Sequence, residues 1–112
     1  MNANLAQREL TFVDNAKACS LYGALNKNLQ AIEKCSGVTI HARGTNLRIV
    51  GLDHEVELVA NLLTQLYDLI GRGYPVYSSD FAFGLRILES SPKAKLDKIF
   101  LDKVYVTTQN RV

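Results

Sequence analysis

Residues 21–51 read LYGALNKNLQAIEKCSGVTIHARGTNLRIVG, and the fold turns on how the period of apolar residues changes along them. Leu29 and Ile32 lie three apart, so they share one helix face. That spacing predicts a helix over 27–35, ended by Gly37. From Val38 the period drops to two: Val38, Ile40 and Ala42 alternate with Thr39, His41 and Arg43, as in a half-buried strand. Gly44, Thr45 and Asn46 carry turn chemistry. Leu47, Arg48, Ile49 and Val50 then form the returning strand of a hairpin, which Gly51 closes.

Working upstream, residues 9–13 (ELTFV) are β-rich, with Leu10 and Phe12 on one face. Asp14 is suited to cap a short helix, NAKACSLY, at 15–22. Gly23 fits the left-handed position that ends helices. Downstream, Asp53 is the expected cap of the longest helix, 54–70. Val56, Val59, Leu63, Leu66 and Ile70 fall on one stripe there, and Gly71 and Gly73 stop it. A linker, GRGYPVYSSD, contains Pro75. A helix over 80–89 follows, with Phe81, Leu85 and Leu88 on one face. SSPKAK reads as loop and KIFLDKVYVTT as a strand. The order is β-α-α-β-β-α, then a helix and a strand, with no internal repeat.

The 112 residues are 47% hydrophobic and 21% charged, a balance that supports a packed core rather than disorder. The formal net charge of +2 does not by itself point to an anionic partner. The opening MNANLAQREL lacks a basic start followed by an apolar run, so no signal peptide is expected. No apolar run approaches the ~20 residues that cross a bilayer, and a cytoplasmic protein is expected. Cys19 and Cys35 form no CxxC or Cys/His cluster, so no metal site is expected. They read as buried free thiols in a reducing compartment.

The element order, with Gly23, Leu29, Ile32, Gly37, Val38 and Ile40 in register, resembles a type I KH domain, a single-strand RNA or DNA binding module. The stretches LTFVDN, VELVANLLTQLYDLI and RGYPVYSSD extend the likeness, and about residues 9–90 look like the N-terminal region of PhoH-like proteins. This resemblance implies an α+β fold: a three-stranded sheet with helices packed on one face, plus a C-terminal helix and strand. It implies a KH-like nucleic-acid-binding domain over 1–73. Residues 74–112 would then be an extension toward an ATPase domain, absent from this chain because no G-x-x-x-x-G-K-[ST] occurs. The chain is thus expected to be a fragment or a short relative, and not itself an enzyme. The parent protein would be an ATPase, with ATP and Mg expected only in the missing domain. The implied partners are single-stranded RNA, bound weakly, the ATPase domain, a further copy of the chain and a partner ribonuclease, but no membrane.

In KH domains the loop between the first two helices lets backbone N–H groups approach the sugar-phosphate chain. Here it is Gly23, Ala24, Leu25 and Asn26. Asn26 replaces a glycine but tolerates the left-handed conformation, whereas Leu25 crowds a phosphate path. Lys27, and at greater reach Lys17, supply charge, and the following helix directs its free N–H groups to the same place. The other reading of these four residues is an ordinary helix–helix turn. His41, Arg43 and Arg48 are either contacts to phosphates and bases or the polar outer face of a half-buried sheet. Tyr22 either stacks on a base or packs in the core. Leu29 and Ile32 are expected to serve the core and to floor an apolar groove. No acid–base dyad emerges from Asp14 and Glu33 or from Asp53, Glu55 and Glu57. Neither His41 nor His54 has a nucleophile placed beside it. Phe81, Leu85 and Leu88 are expected to pack on the sheet, on a second copy or on the missing domain. Two functions follow: a single-stranded RNA-binding module using Gly23, Ala24, Leu25, Asn26, Lys27, Leu29, His41 and Arg43, or an assembly domain with a degenerate loop.

Overall fold

The alternating segments pair as their period requires. In the computed structural model, which describes residues 5–74 and 76–99, β1 (Leu5–Thr11), β2 (Thr39–Arg43) and β3 (Asn46–Leu52) form one antiparallel sheet in the order β1-β3-β2. Leu47 and Ile49 of β3 face inward and are buried, while Asn46 and Arg48 face outward. β1 begins four residues before the expected Glu9, because its ladder with β3 runs from Leu5 opposite Leu52 to Thr11 opposite Asn46. Gln7 and Glu9 of this edge strand lie on the open face of the sheet. It also stops short of Phe12 and Val13, where Phe12 N–H donates instead to Thr45 O at 2.9 Å.

The helices cover the other face. α1 (Asn15–Tyr22) starts as expected, with the Asp14 carboxylate accepting from Lys17 N–H at 3.0 Å. α2 (Lys27–Ser36) ends at Gly37, which is left-handed (φ 81°, ψ −1°). α3 (Asp53–Gly71) packs on β1 and β3. Asp53 is not its cap: it lies in the first turn with Glu55, where the positive end of the helix dipole favours a carboxylate. The two-residue turn at Gly44 and Thr45 (Gly44 φ 61°) leaves Asn46 in β3.

The buried stripe on α3 is broader than the one expected. Val56, Val59, Leu63 and Leu66 are buried as read, but so are Ala60, Leu62 and Leu69, while Ile70 is half-buried. At 100° per residue these side chains span about half the helix circumference. The second half of that arc meets α4 (Ser78–Ser90), which packs on α2 and α3. Contact is close: a Cβ on Gly84 would lie 2.7 Å from Leu62 Cδ1. Phe81, Leu85, Leu88 and Leu96 join the same buried cluster as Leu29 and Ile49. The apolar face of α4 therefore goes to neither the sheet nor a further molecule, but completes the chain's own core. α4 begins before the expected Asp80 because the Asp80 carboxylate reaches back to accept from Tyr77 N–H at 2.8 Å, so Asp80 sits inside the first turn.

The segment after α4 is held by side chains of α3. Gln65 Nε2 donates to Asn61 Oδ1 (2.9 Å) and to Ala94 O (3.1 Å), and Gln65 Oε1 accepts from Leu96 N–H (2.7 Å). Asn61 Nδ2 donates to Pro92 O at 3.1 Å. Residues 96–99 are helical. The strand read over 98–108 otherwise lies outside the described residues, as does Pro75.

The cysteine expectation is corrected. Cys19 and Cys35 are free thiols but both are exposed. The buried arc of α1 is Ala18, Leu21 and Tyr22, and that of α2 is Asn28, Leu29, Ile32 and Ser36; both cysteines fall outside these arcs.

Candidate nucleic-acid interface

The loop between α1 and α2 is a strained turn whose side chains, more than its amides, face solvent. Gly23 has φ 82° and ψ 172°. This is not the left-handed helical region expected for it but an extended, positive-φ conformation open essentially to glycine. A Cβ there would also meet the Asn28 side chain at 2.8 Å. Asn28, a residue not singled out in the sequence, is buried, and its Nδ2 donates to Leu21 O at 3.1 Å, tying the end of α1 to the start of α2. Only its position one residue inside a helix start hinted at such a role.

Leu25 (φ 55°, ψ 33°) and Asn26 (φ 58°, ψ 30°) are consecutive left-handed residues. The conformation suits Asn26 but costs a leucine roughly 1–2 kcal/mol. Gly23 N–H donates to Cys19 O (3.0 Å), Asn26 N–H to Gly23 O (3.1 Å) and Lys27 N–H to Ala24 O. Those three amides are engaged internally, so a clamp built on the loop backbone is largely closed. Ala24, Leu25, Asn26 and Lys27 are all exposed, with Leu25 at 93%. Lys27 forms no ion pair with the described residues.

The remaining candidates separate into core and surface. Leu29 and Ile32, at 3% and 1% exposure, are core and offer almost no side-chain surface as a groove floor. Tyr22 is also buried, tilted against Phe12 with ring centroids 6.4 Å apart. Its burial, first, and negative charge at Cys19, second, push its phenol above the ordinary value of 10.0. Lys17 does not join the loop: its Nζ lies beside Gly71 at the C-terminal end of α3, where the helix dipole favours a cation.

His41, Arg43 and Arg48 meet on the open face of the sheet. His41 lies opposite Arg48, which lies opposite Glu9; Arg43 lies opposite Asn46, which lies opposite Thr11. These residues line a shallow concavity of about 890 Å³. Along the outer edge of β2, Ile40 N–H is taken by Glu33 Oε2 at 2.8 Å. A second concavity, of about 790 Å³, sets Glu55, Glu57 and Glu89 against Arg8 and His54. Its three carboxylates make it a poor host for an anion. Arg72, in the wall of a third, is paired with Asp68 and Asp97 at 3.1 Å each. Among the described residues no group of three or more His, Cys, Asp and Glu is placed to hold a metal, and no helix is long and apolar enough to cross a membrane.

The fold is thus α+β with a KH-like β-α-α-β-β-α layout, extended by a fourth helix in the same core. No protein-family model matches the chain, and neither a curated protein nor a solved structure matches it.

Proposed function

We propose that this chain is a module that binds single-stranded RNA weakly, through the 23–27 loop and the β2 side of the sheet. The carrying observation is Leu25. It is held in a costly backbone conformation with its side chain in solvent, so no internal packing repays the strain. Strain of this kind concentrates at ligand clamps and switch regions. Leu25 offers an apolar surface to a base, Lys27 a cation to the neighbouring phosphate, and His41 and Arg43 continue the surface on β2. The parent would be a PhoH-like, ATP-dependent protein of RNA metabolism, with ATP and Mg in a separate ATPase domain and a ribonuclease among its partners. That part of the proposal rests on the sequence resemblance alone. The test is Leu25→Asn, which keeps the left-handed turn and removes the apolar contact. We expect unchanged or higher stability and several-fold weaker binding of a short single-stranded RNA. Equal binding by both proteins would dismiss the loop.

One observation favours an assembly role instead. Leu5 and Leu52, 66% and 44% exposed, lie opposite each other on the open sheet face. Sedimentation of the wild type and of Leu52→Lys distinguishes the readings: an oligomer that the substitution dissociates supports assembly, and a monomer in both removes it.

A further inference from the structure

Beside Arg43, the open sheet face carries a second arginine, Arg48 on β3, that the reading above does not use. Arg43 stands beside the hairpin tip, and its guanidinium forms no ion pair or hydrogen bond among the described residues. Arg48 is diagonal to it, one strand over, at the ~7–8 Å spacing of diagonal sheet neighbours. Arg48 Nη2 lies 3.3 Å from Glu9 Oε2, with both side chains more than half exposed. An exposed pair of this kind holds weakly, and a phosphate offers the same guanidinium a doubly hydrogen-bonded partner. The outward residues of the sheet carry two arginines and one glutamate, a net +1 with His41 neutral. The concavity beside α3 carries one arginine and three glutamates, a net −2 with His54 neutral. An anionic strand is therefore steered to the sheet.

The tip is also next to the loop. Tyr22, immediately before Gly23, donates from Oη to Gly44 O at 2.9 Å. We infer that a strand held at the 23–27 loop continues over the hairpin tip onto the open sheet face, where Arg43 and Arg48 take successive phosphates and Glu9 restrains binding by competing for Arg48. This rests on the RNA-binding reading above and extends its path from β2 across the sheet to β3. Glu9 acts here as a built-in competitor: its carboxylate occupies the guanidinium that the phosphate needs, so its removal improves binding.

The test is fluorescence anisotropy with a labelled single-stranded 12-nucleotide RNA between 50 and 200 mM salt. It uses the wild type, Glu9→Gln, Arg48→Gln and, as a control on the opposite layer, Lys93→Gln. We expect Glu9→Gln to tighten binding several-fold and Arg48→Gln to weaken it several-fold. Arg48→Gln should also reduce the slope of log K against log salt by about 0.7, the loss of one single-strand phosphate contact. Lys93→Gln should match the wild type. Tightening cannot come from a misfolded variant, so Glu9→Gln separates competition from damage. If the wild type binds and Leu25→Asn weakens it, but Glu9→Gln and Arg48→Gln do not move in opposite directions, the sheet path is wrong and the loop reading stands. A wild type that binds no strand at 50 mM salt overturns both.

Discussion

The phenol of Tyr22 donates a hydrogen bond to the carbonyl of Gly44 at 2.9 Å, joining the last residue of α1 to the tip of the β2–β3 hairpin. The neighbouring carbonyl, of Thr45, is held by Phe12 N–H at 2.9 Å. Phe12 in turn stacks on Tyr67 with centroids 4.4 Å apart, and Tyr67 Oη accepts from Asp14 N–H at 2.9 Å. Both turn carbonyls are therefore anchored to the helical layer, and the tip is fixed beside the 23–27 loop.

Tyr22→Phe keeps the ring and removes the donor. The part-buried Gly44 carbonyl loses its partner, at a cost of about 1 kcal/mol. Urea unfolding should show a lower midpoint with an unchanged slope. Amide exchange should accelerate in the hairpin before it does in α3.

The same residue sets an alkaline limit. The folded pKa of Tyr22 lies above its unfolded value of 10.0, through burial first and charge at Cys19 second. Above pH 10 the unfolded chain releases this proton before the folded one does, so stability falls as pH rises. The contribution is whole below pH 10 and is lost as pH climbs through the raised folded value. Unfolding from pH 9 to 11 should show this decline in the wild type and a smaller one in Tyr22→Phe. A residue of the decline remains, because Tyr74 is also raised, by burial, then Asp80, then Tyr77.

The integration of α4 predicts one transition for the whole described unit. Phe81 is 1% exposed and sits in the common cluster. Phe81→Ala should destabilise by about 3–5 kcal/mol. Fluorescence and circular dichroism should report a single midpoint. A separate early transition for α4, leaving the sheet folded, would contradict the shared core.

Element types were legible wherever period and caps agreed. The alternation from Val38 to Ala42, the Asp14 cap and the Gly37 stop each rest on local chemistry, and each lies where the sequence puts it. The misses are tertiary. Leu5 and Gln7 join β1 because β3 extends far enough to pair with them, which no local pattern encodes. Leu62 and Leu69 lie off the stripe read from the sequence yet are buried, Leu62 against Gly84 of α4. At the candidate site, Gly23 and Asn26 signalled a special backbone. The engagement of its amides and the role of Asn28 depend on how closely α1 and α2 approach. The convergence of His41, Arg43 and Arg48 followed from strand alternation once the hairpin register was known.

Gln65 makes two hydrogen bonds to the 91–96 segment, donating to Ala94 O and accepting from Leu96 N–H. Gln65→Ala leaves Leu96 N–H and Ala94 O without the partners they have at 2.7 and 3.1 Å. Each orphaned part-buried group costs on the order of 1 kcal/mol, so a loss of about 2 kcal/mol in urea unfolding is expected. Protease cleavage near Lys93 or Lys95 should accelerate with it. Asn61→Ala, which removes one bond to Pro92 O and one acceptor for Gln65, should give a smaller effect in the same direction.

Gly23 and Leu25 share a turn and positive φ, yet substitution should act on them with opposite sign. At Gly23 a side chain meets two obstacles, the φ of 82° with ψ of 172° and the Asn28 amide 2.8 Å from the new Cβ. Gly23→Ala should therefore exceed the ~1 kcal/mol typical of a compatible glycine site and run in the destabilising direction. It should also release the Asn28 bond to Leu21 O. At Leu25 the side chain is in solvent and the strain is the only term. Leu25→Asn should raise the urea midpoint, because asparagine accepts the left-handed conformation that leucine resists. The two variants, compared at equal denaturant, separate a loop shaped by packing from a loop whose strain serves the surface it presents. A Leu25→Asn protein less stable than the wild type would show that the exposed leucine supports the fold after all.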